Sequence, residues 1–333
     1  MPTTVTKTVK SSGGNYTSLV SFEAGEQRDL VAADEIAEAE CHGFDDNAAG
    51  NCVFDGWTTD ATRFIRIRAP AGEYPTMPTA SGKYRLIGNG DNPLQFAVDY
   101  VRVERITVMT SGSFSGGIIC IGSWGFGSRE GIHIIGCLLA HNATTTGDSG
   151  YGLILPSTDA DHDIRVINTV VYRDPAISVA ANDGIRVYGG ARIYNCSVAG
   201  KFGTGISGFY GANNPTVRNC LSYGATTADF WDSFNTKEHN ASKDGTAPGA
   251  NSLTSIADPF VDYNGGDLHL KAGSSLIGAG KDLSADADYP FAIDFDGQGR
   301  LVPWHIGADH RHPVMIIDFA RHPNHKLARR LAV

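Results

Sequence analysis

The sequence has little of what marks several common protein classes. Its six cysteines form no Cys-x-x-Cys pair, so neither a zinc site nor a disulfide scaffold is indicated, and buried free thiols are the better interpretation. No apolar run approaches the length of a membrane span, and residues 1–15 are polar where a secretory signal would be apolar. We therefore expect no membrane partner, and no signal peptide is visible.

Positive charge is also scarce over most of the chain. The 27 Lys and Arg residues stand against 36 Asp and Glu residues, which gives a formal net charge of −9. A nucleic-acid binder needs a basic face to neutralise phosphates, so no nucleic-acid partner is expected. Residues 311–333 differ, because five cationic residues there accompany one acidic residue and form a basic tail on an acidic body.

The strongest positive signal is an internal repeat in a chain with 40 glycines and no Gly-X-Y period. Five segments align: Val101-Arg-Val-Glu-Arg, Ile132-His-Ile-Ile-Gly, Ile164-Arg-Val-Ile-Asn, Ala191-Arg-Ile-Tyr-Asn and Pro215-Thr-Val-Arg-Asn. Their fifth positions form the turn column: Arg105, Gly136, Asn168, Asn195 and Asn219. Gly and Asn adopt positive φ most easily, so the last four members predict a left-handed turn stacked at one corner of successive coils.

Two further columns accompany this turn. Small side chains follow it in four repeats: Cys137, Thr169, Cys196 and Cys220. A glycine opens a second strand in four repeats: Gly117, Gly152, Gly184 and Gly205. Before the turn, Ile132, Ile164 and Ile193 alternate with polar residues and should point inward. Each repeat therefore contributes strands to at least two sheets.

These columns resemble those of the pectate-lyase-like superfamily of right-handed parallel β-helices. The ending also resembles that of many bacterial and phage β-helix-repeat proteins, in these stretches: Asp258-Pro-Phe-Val-Asp, Gly266-Asp-Leu-His-Leu, Asp294-Phe-Asp-Gly and Trp304-His-Ile-Gly-Ala-Asp. The resemblance implies an all-β fold, a single-stranded right-handed parallel β-helix (solenoid) with an N-terminal helical cap and a C-terminal cap plus tail.

The chain divides accordingly into four parts. They are an N-terminal cap region 1–50, parallel β-helix coils 51–256, a C-terminal capping segment 257–310 and the basic tail 311–333. A helical stretch from Tyr16 to Ala24 should cover the open edge of the first coil. The capping segment should pack over the last coil.

Enzymes of this superfamily act on polysaccharides along a sheet face, where a lyase needs a cation to neutralise the uronate and a base to take a proton. One strand carries the candidate catalytic residues Asp183, Arg186 and Tyr188 at outward positions. Other strands carry the candidate glycan-binding residues: His133, Arg165, Arg192 and Tyr194. An ordinary polar face is the open alternative. No acidic pair recurs on adjacent coils, which ranks a glycoside hydrolase behind a lyase.

Two groups of residues with metal-binding side chains lack the pattern of a known site. Asp294-Phe-Asp296-Gly297 fails the EF-hand template, which requires Asp or Asn where Gln298 stands and an acid where His305 stands. The C-terminal histidines match no zinc spacing, and Pro313 and Pro323 break any helix that would align them. They are His305, His310, His312, His322 and His325. No metal and no cofactor are therefore expected.

Two hypotheses for the function follow. The first is a structural, virion-associated (phage) or surface β-helix protein that can bind a glycan and is located on a virion or outside the cell. Its partners would be other virion or surface subunits, bound through the tail, and a polysaccharide; a homotrimer follows by analogy with β-helix spikes. The second is a polysaccharide lyase acting on an acidic polysaccharide.

The basic tail is expected to dock on a partner. Its apolar strand contains Val314, Ile316 and Phe319, and the cationic residues Arg329 and Arg330 follow. An exposed apolar strand tends to pair with another chain unless something covers it. Folding back along the acidic body is the alternative.

Truncation after His310 tests this docking role. The body should stay folded by circular dichroism while assembly, measured by sedimentation, is reduced, because the lost residues follow the segment that closes the solenoid. High salt should mimic part of the loss by screening the tail charges. Unfolding of the truncated chain, or unchanged assembly, would contradict the docking role.

Overall fold

The computed structural model describes most of the chain up to His312. The described residues are 1–47, 51–88, 92–110, 117–121, 129–141, 150–155, 162–177, 180–209, 215–231, 234–287 and 289–312. They contain twenty-six strands and two short helices, numbered below in chain order.

Twenty-four strands form three sheets in which neighbouring strands are parallel. The first sheet contains β1 (Thr3–Val9), β2 (Glu35–Cys41), β5 (Ile65–Arg68), β8 (Val101–Glu104), β11 (His133–Ile135), β14 (Arg165–Ile167), β17 (Arg192–Tyr194), β20 (Thr216–Arg218) and β23 (Thr236–Glu238). The second sheet contains β3 (Asp45–Asp46), β6 (Arg85–Gly88), β9 (Thr107–Thr110), β12 (Leu138–His141), β15 (Val170–Arg173), β18 (Ser197–Gly200), β21 (Leu221–Tyr223) and β24 (Ala241–Ser242). The third sheet contains β4 (Cys52–Phe54), β7 (Leu94–Phe96), β10 (Gly117–Ile121), β13 (Tyr151–Leu155), β16 (Ala181–Tyr188), β19 (Phe202–Phe209) and β22 (Ala228–Trp231).

The chain visits these sheets in a fixed order. From β2 to β24 it passes from the first sheet to the second, then to the third, and begins again. This connectivity is consistent with the predicted all-β parallel solenoid. The first sheet already begins at Thr3, so strands of the sheets lie inside the region 1–50 that was expected to form only a cap.

Alternating side chains explain why these segments form strands around one core. In β5, Ile65 and Ile67 are fully buried, while the arginines between and after them point outward. Ile65 pairs with Val101, and Ile67 pairs with Val103, so apolar residues stack on apolar residues from coil to coil. Their burial in one contiguous cluster is the main stabilising contribution to the solenoid.

The turn column lies at the corner between the first and second sheets. The four predicted members have a positive φ: Gly136 63°, Asn168 49°, Asn195 51° and Asn219 54°. Arg105, for which it was not predicted, also has a positive φ, at 58°. The four small residues that follow this turn, Cys137, Thr169, Cys196 and Cys220, are fully buried. Burial raises the pKa of Cys137 to about 11, so this thiol stays protonated and unreactive at neutral pH.

The predicted N-terminal helix is shifted by a few residues. Helix α1 spans Leu19–Glu26 because Ser18 forms a capping box with Ser21, and α2 spans Leu30–Ala33. Leu19 and Phe22 are fully buried in the same cluster as the inward residues of the coils. Neither helix nor any other in the described part of the chain is long and apolar enough to cross a membrane.

The C-terminal capping segment, residues 257–310 and called the C-terminal segment below, contacts more coils than the last one, and that expectation is corrected. After the antiparallel pair β25 (Phe260–Asp262) and β26 (Asp267–Leu270), it runs along the corner of the solenoid. The Asn219 amide donates to Lys281 O at 2.7 Å and accepts from Lys281 N at 2.8 Å. The Asn168 amide donates to Ile293 O at 2.7 Å. The turn column therefore binds this segment as well as turning the backbone.

Substitutions at Asn219 separate these two roles. Asn219→Gly should lower the free energy of unfolding by about 1–3 kcal/mol, because glycine keeps the positive φ but loses both bonds to Lys281. Asn219→Ala should cost about 1 kcal/mol more, because alanine must also adopt the left-handed conformation. Denaturant unfolding measures both values.

The matched control is Asn251, which also has a positive φ, at 57°, but is exposed. Asn251→Gly should change stability by only a few tenths of a kcal/mol. Equal losses for Asn219→Gly and Asn219→Ala would contradict the conformational part of this argument.

Candidate functional site

The third sheet places two of the predicted catalytic residues on one outward face. A Cβ atom at Gly184 would clash with Val198 in the core, so this position faces inward, and the next residue, Ile185, is also fully buried. Because two consecutive positions face inward, the residues on either side of them, Asp183 and Arg186, both face outward. The inward position of Gly184 thus determines which side chains of this strand face outward.

Four side chains meet on this face, and we call them the outer cluster: Tyr151, Asp183, Arg186 and Ser207. Ser207 Oγ donates to Asp183 Oδ2 at 2.9 Å, and Arg186 Nη1 lies 3.6 Å from the same oxygen. Arg186 Nη1 donates to the Tyr151 hydroxyl at 3.0 Å, and the guanidinium carbon lies 5.3 Å from the centroid of the Tyr151 ring. The cluster combines a cation, an aromatic ring and a carboxylate.

Like Ser207, Asp183 is a buried member of the outer cluster. Only 7% of it is exposed, and burial raises its pKa, although the Ser207 hydroxyl and the Arg186 charge act in the opposite direction. Arg186 is more accessible, with 23% of its side chain exposed. A carboxyl group with a raised pKa beside a cation is a common feature of binding and catalytic sites.

The first sheet aligns three of the predicted glycan-binding residues in one row. His133 pairs with Arg165, and Arg165 pairs with Arg192. Asp163 bridges the first two, with Oδ2 3.1 Å from His133 Nε2 and Oδ1 accepting from Arg165 Nε at 2.5 Å. The Arg165 guanidinium also lies over Tyr289 of the C-terminal segment, 4.8 Å from the ring centroid. His133 and Arg165 are thus engaged within the fold.

The prediction for Tyr194 is wrong. Tyr194 faces outward from the first sheet, as expected, but it is fully buried. Leu283 and Trp304 of the C-terminal segment pack against it together with Ile167. A side chain covered in this way is not part of a glycan-binding surface.

Several predicted residues fall outside what the structure describes. Tyr188 ends β16, but its side chain is not among the described ones. The tail positions beyond the described residues are Val314, Ile316, Phe319, His322, His325, Arg329 and Arg330. The expectations for these residues stay predictions.

Tyr151 and Ser207 were missed in the sequence, although a signal for Tyr151 exists. The glycine column aligns Gly152 with Gly184, so the residues before them, Tyr151 and Asp183, occupy equivalent positions on neighbouring strands. Extending this alignment to the residue before each glycine would have paired these two side chains.

A second group of polar residues lies in the C-terminal segment, where no metal was expected. One ligand atom each from His269, Asp296 and Asp309 lies within 4.8 Å of the other two. The hydrogen bond to Asp296 raises the pKa of His269 to about 9, with a further contribution from Asp267. We call these three residues the His269 triad.

His305 and His310, near the end of the described residues, contact each other and the backbone rather than carboxylates. His305 and His310 stack with their ring centroids 3.9 Å apart. His305 Nδ1 accepts from Gly278 N, and His310 Nε2 accepts from Leu301 N. These ring nitrogens are occupied by backbone hydrogen bonds.

The charge of Arg186 should be measurable in the titration of Asp183. Arg186→Gln should raise the pKa of Asp183 further, because the guanidinium is one of the groups that oppose the effect of burial. Carbon-13 NMR of the carboxyl group measures this pKa. Arg192→Gln on the first sheet is the control and should leave it unchanged; a lower or equal pKa in Arg186→Gln would refute the described contact.

Comparison with known proteins adds no family to this geometry. No family model matches the sequence, and a search of curated proteins finds no match. The long parallel sheets are compatible with a parallel β-helix.

Proposed function

We propose that this protein is a right-handed, capped parallel β-helix of the pectate-lyase-like kind that binds an acidic polysaccharide on the outer face of its third sheet. The outer cluster carries the proposal, because its cation and its aromatic ring are held together at the surface. Sugar rings pack on aromatic faces, and a guanidinium pairs with carboxylates through two parallel hydrogen bonds.

The geometry of Arg186 supports a binding role. A close ion pair between a guanidinium and a carboxylate has a nitrogen–oxygen distance of about 2.7–2.9 Å. The separation from Asp183 is 3.6 Å, and the close donor to Asp183 is the Ser207 hydroxyl instead. Asp183 therefore orients the Arg186 guanidinium electrostatically beside the Tyr151 ring, which supports a surface that contacts both a sugar ring and its carboxylate.

The position of the C-terminal segment favours the third sheet over the first as the polysaccharide-binding surface. That segment packs on the outer side of the first sheet at Tyr194 and on the second sheet at Leu221. A long polysaccharide needs an extended face of successive coils. The third sheet offers seven strands in register, with the outer cluster on three successive ones.

A polysaccharide lyase is the second candidate function, and the environment of Asp183 favours it. A β-elimination needs a base for the proton next to the uronate carboxyl group and a cation to neutralise that group. Burial raises the pKa of Asp183, which makes its carboxylate a stronger base, and Arg186 stands beside it. In this mechanism Arg186 would bind the uronate while Asp183 takes the proton.

The proposal includes a location on a virion or another extracellular surface and partners among neighbouring subunits. A virion or another extracellular surface suits a β-helix that binds polysaccharide, and the basic tail would attach it to neighbouring subunits. A homotrimer is the assembly that β-helix spikes suggest by analogy.

Binding assays with Arg186→Gln test the polysaccharide proposal. The variant should bind a panel of uronate-containing polysaccharides about tenfold to a hundredfold more weakly than the wild type, because a hydrogen-bonded charge is lost. Neutral polysaccharides should bind equally to both proteins. Isothermal titration calorimetry at fixed ionic strength provides the affinities.

Arg192→Gln is the matched control, since it removes the same charge from the first sheet. If the third sheet is the site, this variant should bind like the wild type; equal losses in both variants would show a nonspecific charge effect or a site on the first sheet, and either result would overturn the site on the third sheet. Ultraviolet absorbance of unsaturated products in the same mixtures identifies a lyase, in which Arg186→Gln should lower turnover by about 10²- to 10⁴-fold.

A further inference from the structure

The His269 triad lies where three separate parts of the C-terminal segment meet. His269 belongs to β26, Asp296 to the turn between Ile293 and Gly299, and Asp309 to the end of the segment. Asp309 Oδ2 accepts from Leu270 N at 2.8 Å, which fixes the last part against the first. The fold therefore brings the three side chains together from positions far apart in the sequence.

The spacing within the triad suits a small cation. His269 Nε2 and Asp296 Oδ2 are 3.2 Å apart. Two ligand atoms at about 2.0 Å from a tetrahedral zinc ion are about 3.3 Å apart. One ligand atom of Asp309 lies within 4.8 Å of both, so the three residues surround a common space.

His269 is also oriented as a metal ligand is. Its Nδ1 contacts Asp267 Oδ1 at 2.5 Å, which directs Nε2 towards the carboxylates of the triad. A carboxylate bound to the other ring nitrogen is the usual support of a metal-ligating histidine, because it fixes both tautomer and ring orientation.

An independent observation is the carboxylate of Asp294. It is fully buried, and its Oδ2 has no hydrogen-bond partner among the residues that the structure describes. Burial raises the pKa of Asp294 to about 6; the charges of Asp296 and Asp309 act in the same direction, and the charge of Arg300 opposes them. A buried carboxylate oxygen without a donor is costly, and a nearby cation would offset that cost.

We propose that His269, Asp296 and Asp309 form a binding site for a divalent transition-metal ion. One imidazole with two carboxylates selects an ion such as Zn²⁺ over Ca²⁺, which prefers oxygen ligands only. Binding replaces the proton on His269 Nε2 by the metal and releases that proton to solvent. The ion joins β26 to the two later turns and stabilises the path of the C-terminal segment.

Zinc titration of the full-length protein tests the site. After treatment with a chelator, the wild type should bind one Zn²⁺ per chain in isothermal titration calorimetry, and its melting temperature should rise with zinc concentration. His269→Gln should abolish this binding, and Asp267→Asn should weaken it about tenfold to a hundredfold. Both measurements are made in a chain carrying His312→Gln, His322→Gln and His325→Gln, which removes the imidazoles of the tail.

His42 provides the matched control, because its ring nitrogens also lie 3.1 Å from two carboxylates, those of Glu40 and Glu73. His42→Gln should leave zinc affinity unchanged. A wild-type chain that binds no Zn²⁺, or a His269→Gln chain that binds it as the wild type does, would overturn the proposal and leave His269 as a protonated member of an ion-pair network. If His269→Gln is unstable, loss of zinc binding in Asp296→Asn gives the same decision.

Discussion

The corner between the first and second sheets is the constraint on which the rest of the structure depends. In a parallel solenoid each coil repeats the path of the previous one, so a backbone conformation needed once is needed in every coil. Here that conformation is a positive φ, and Asn168, Asn195 and Asn219 adopt it at little cost. Their amides also hydrogen-bond, so the residues that turn the backbone bind a second segment along the same edge.

Arg105 and Gly136, the two members of the turn column that are not Asn, also help to bind the C-terminal segment. Gly136 lacks a Cβ, and Arg105 of the preceding coil lies over the space that one would occupy. From there Arg105 donates to Asp294 O at 3.2 Å and to Phe295 O at 2.9 Å. Those bonds hold the turn that presents Asp296. A residue that breaks the Asn pattern therefore positions one member of the His269 triad, about 190 residues further along the chain.

The sequence was informative where the repeat itself determines structure and uninformative where distant segments meet. Repetition predicted the turn column and the inward aliphatic residues, because stacked coils place like residues in register. It could not predict that Tyr194 is covered, since the covering residues Leu283 and Trp304 lie outside the repeat. For a related reason, the sequence predicted only part of the outer cluster. Asp183 and Arg186 lie on one strand and were found together. Tyr151 lies on a neighbouring strand, and only an alignment of the two strands would have identified it.

The outer faces of the first and third sheets differ in the arrangement of their cationic side chains. On the first sheet one row is made of stacked basic side chains: Arg66, Arg102, His133, Arg165 and Arg192. Strands about 4.8 Å apart bring such like charges together, which is destabilising unless other groups offset the repulsion. Groups that offset it are Glu104, the ring of Phe64 and Asp163. On the third sheet Arg186 stands between Ile154 and Ser207, both uncharged, so no stacked cation lies on either side of it. The first sheet therefore presents a ladder of basic side chains, whereas the third sheet presents one cation beside the aromatic ring of Tyr151.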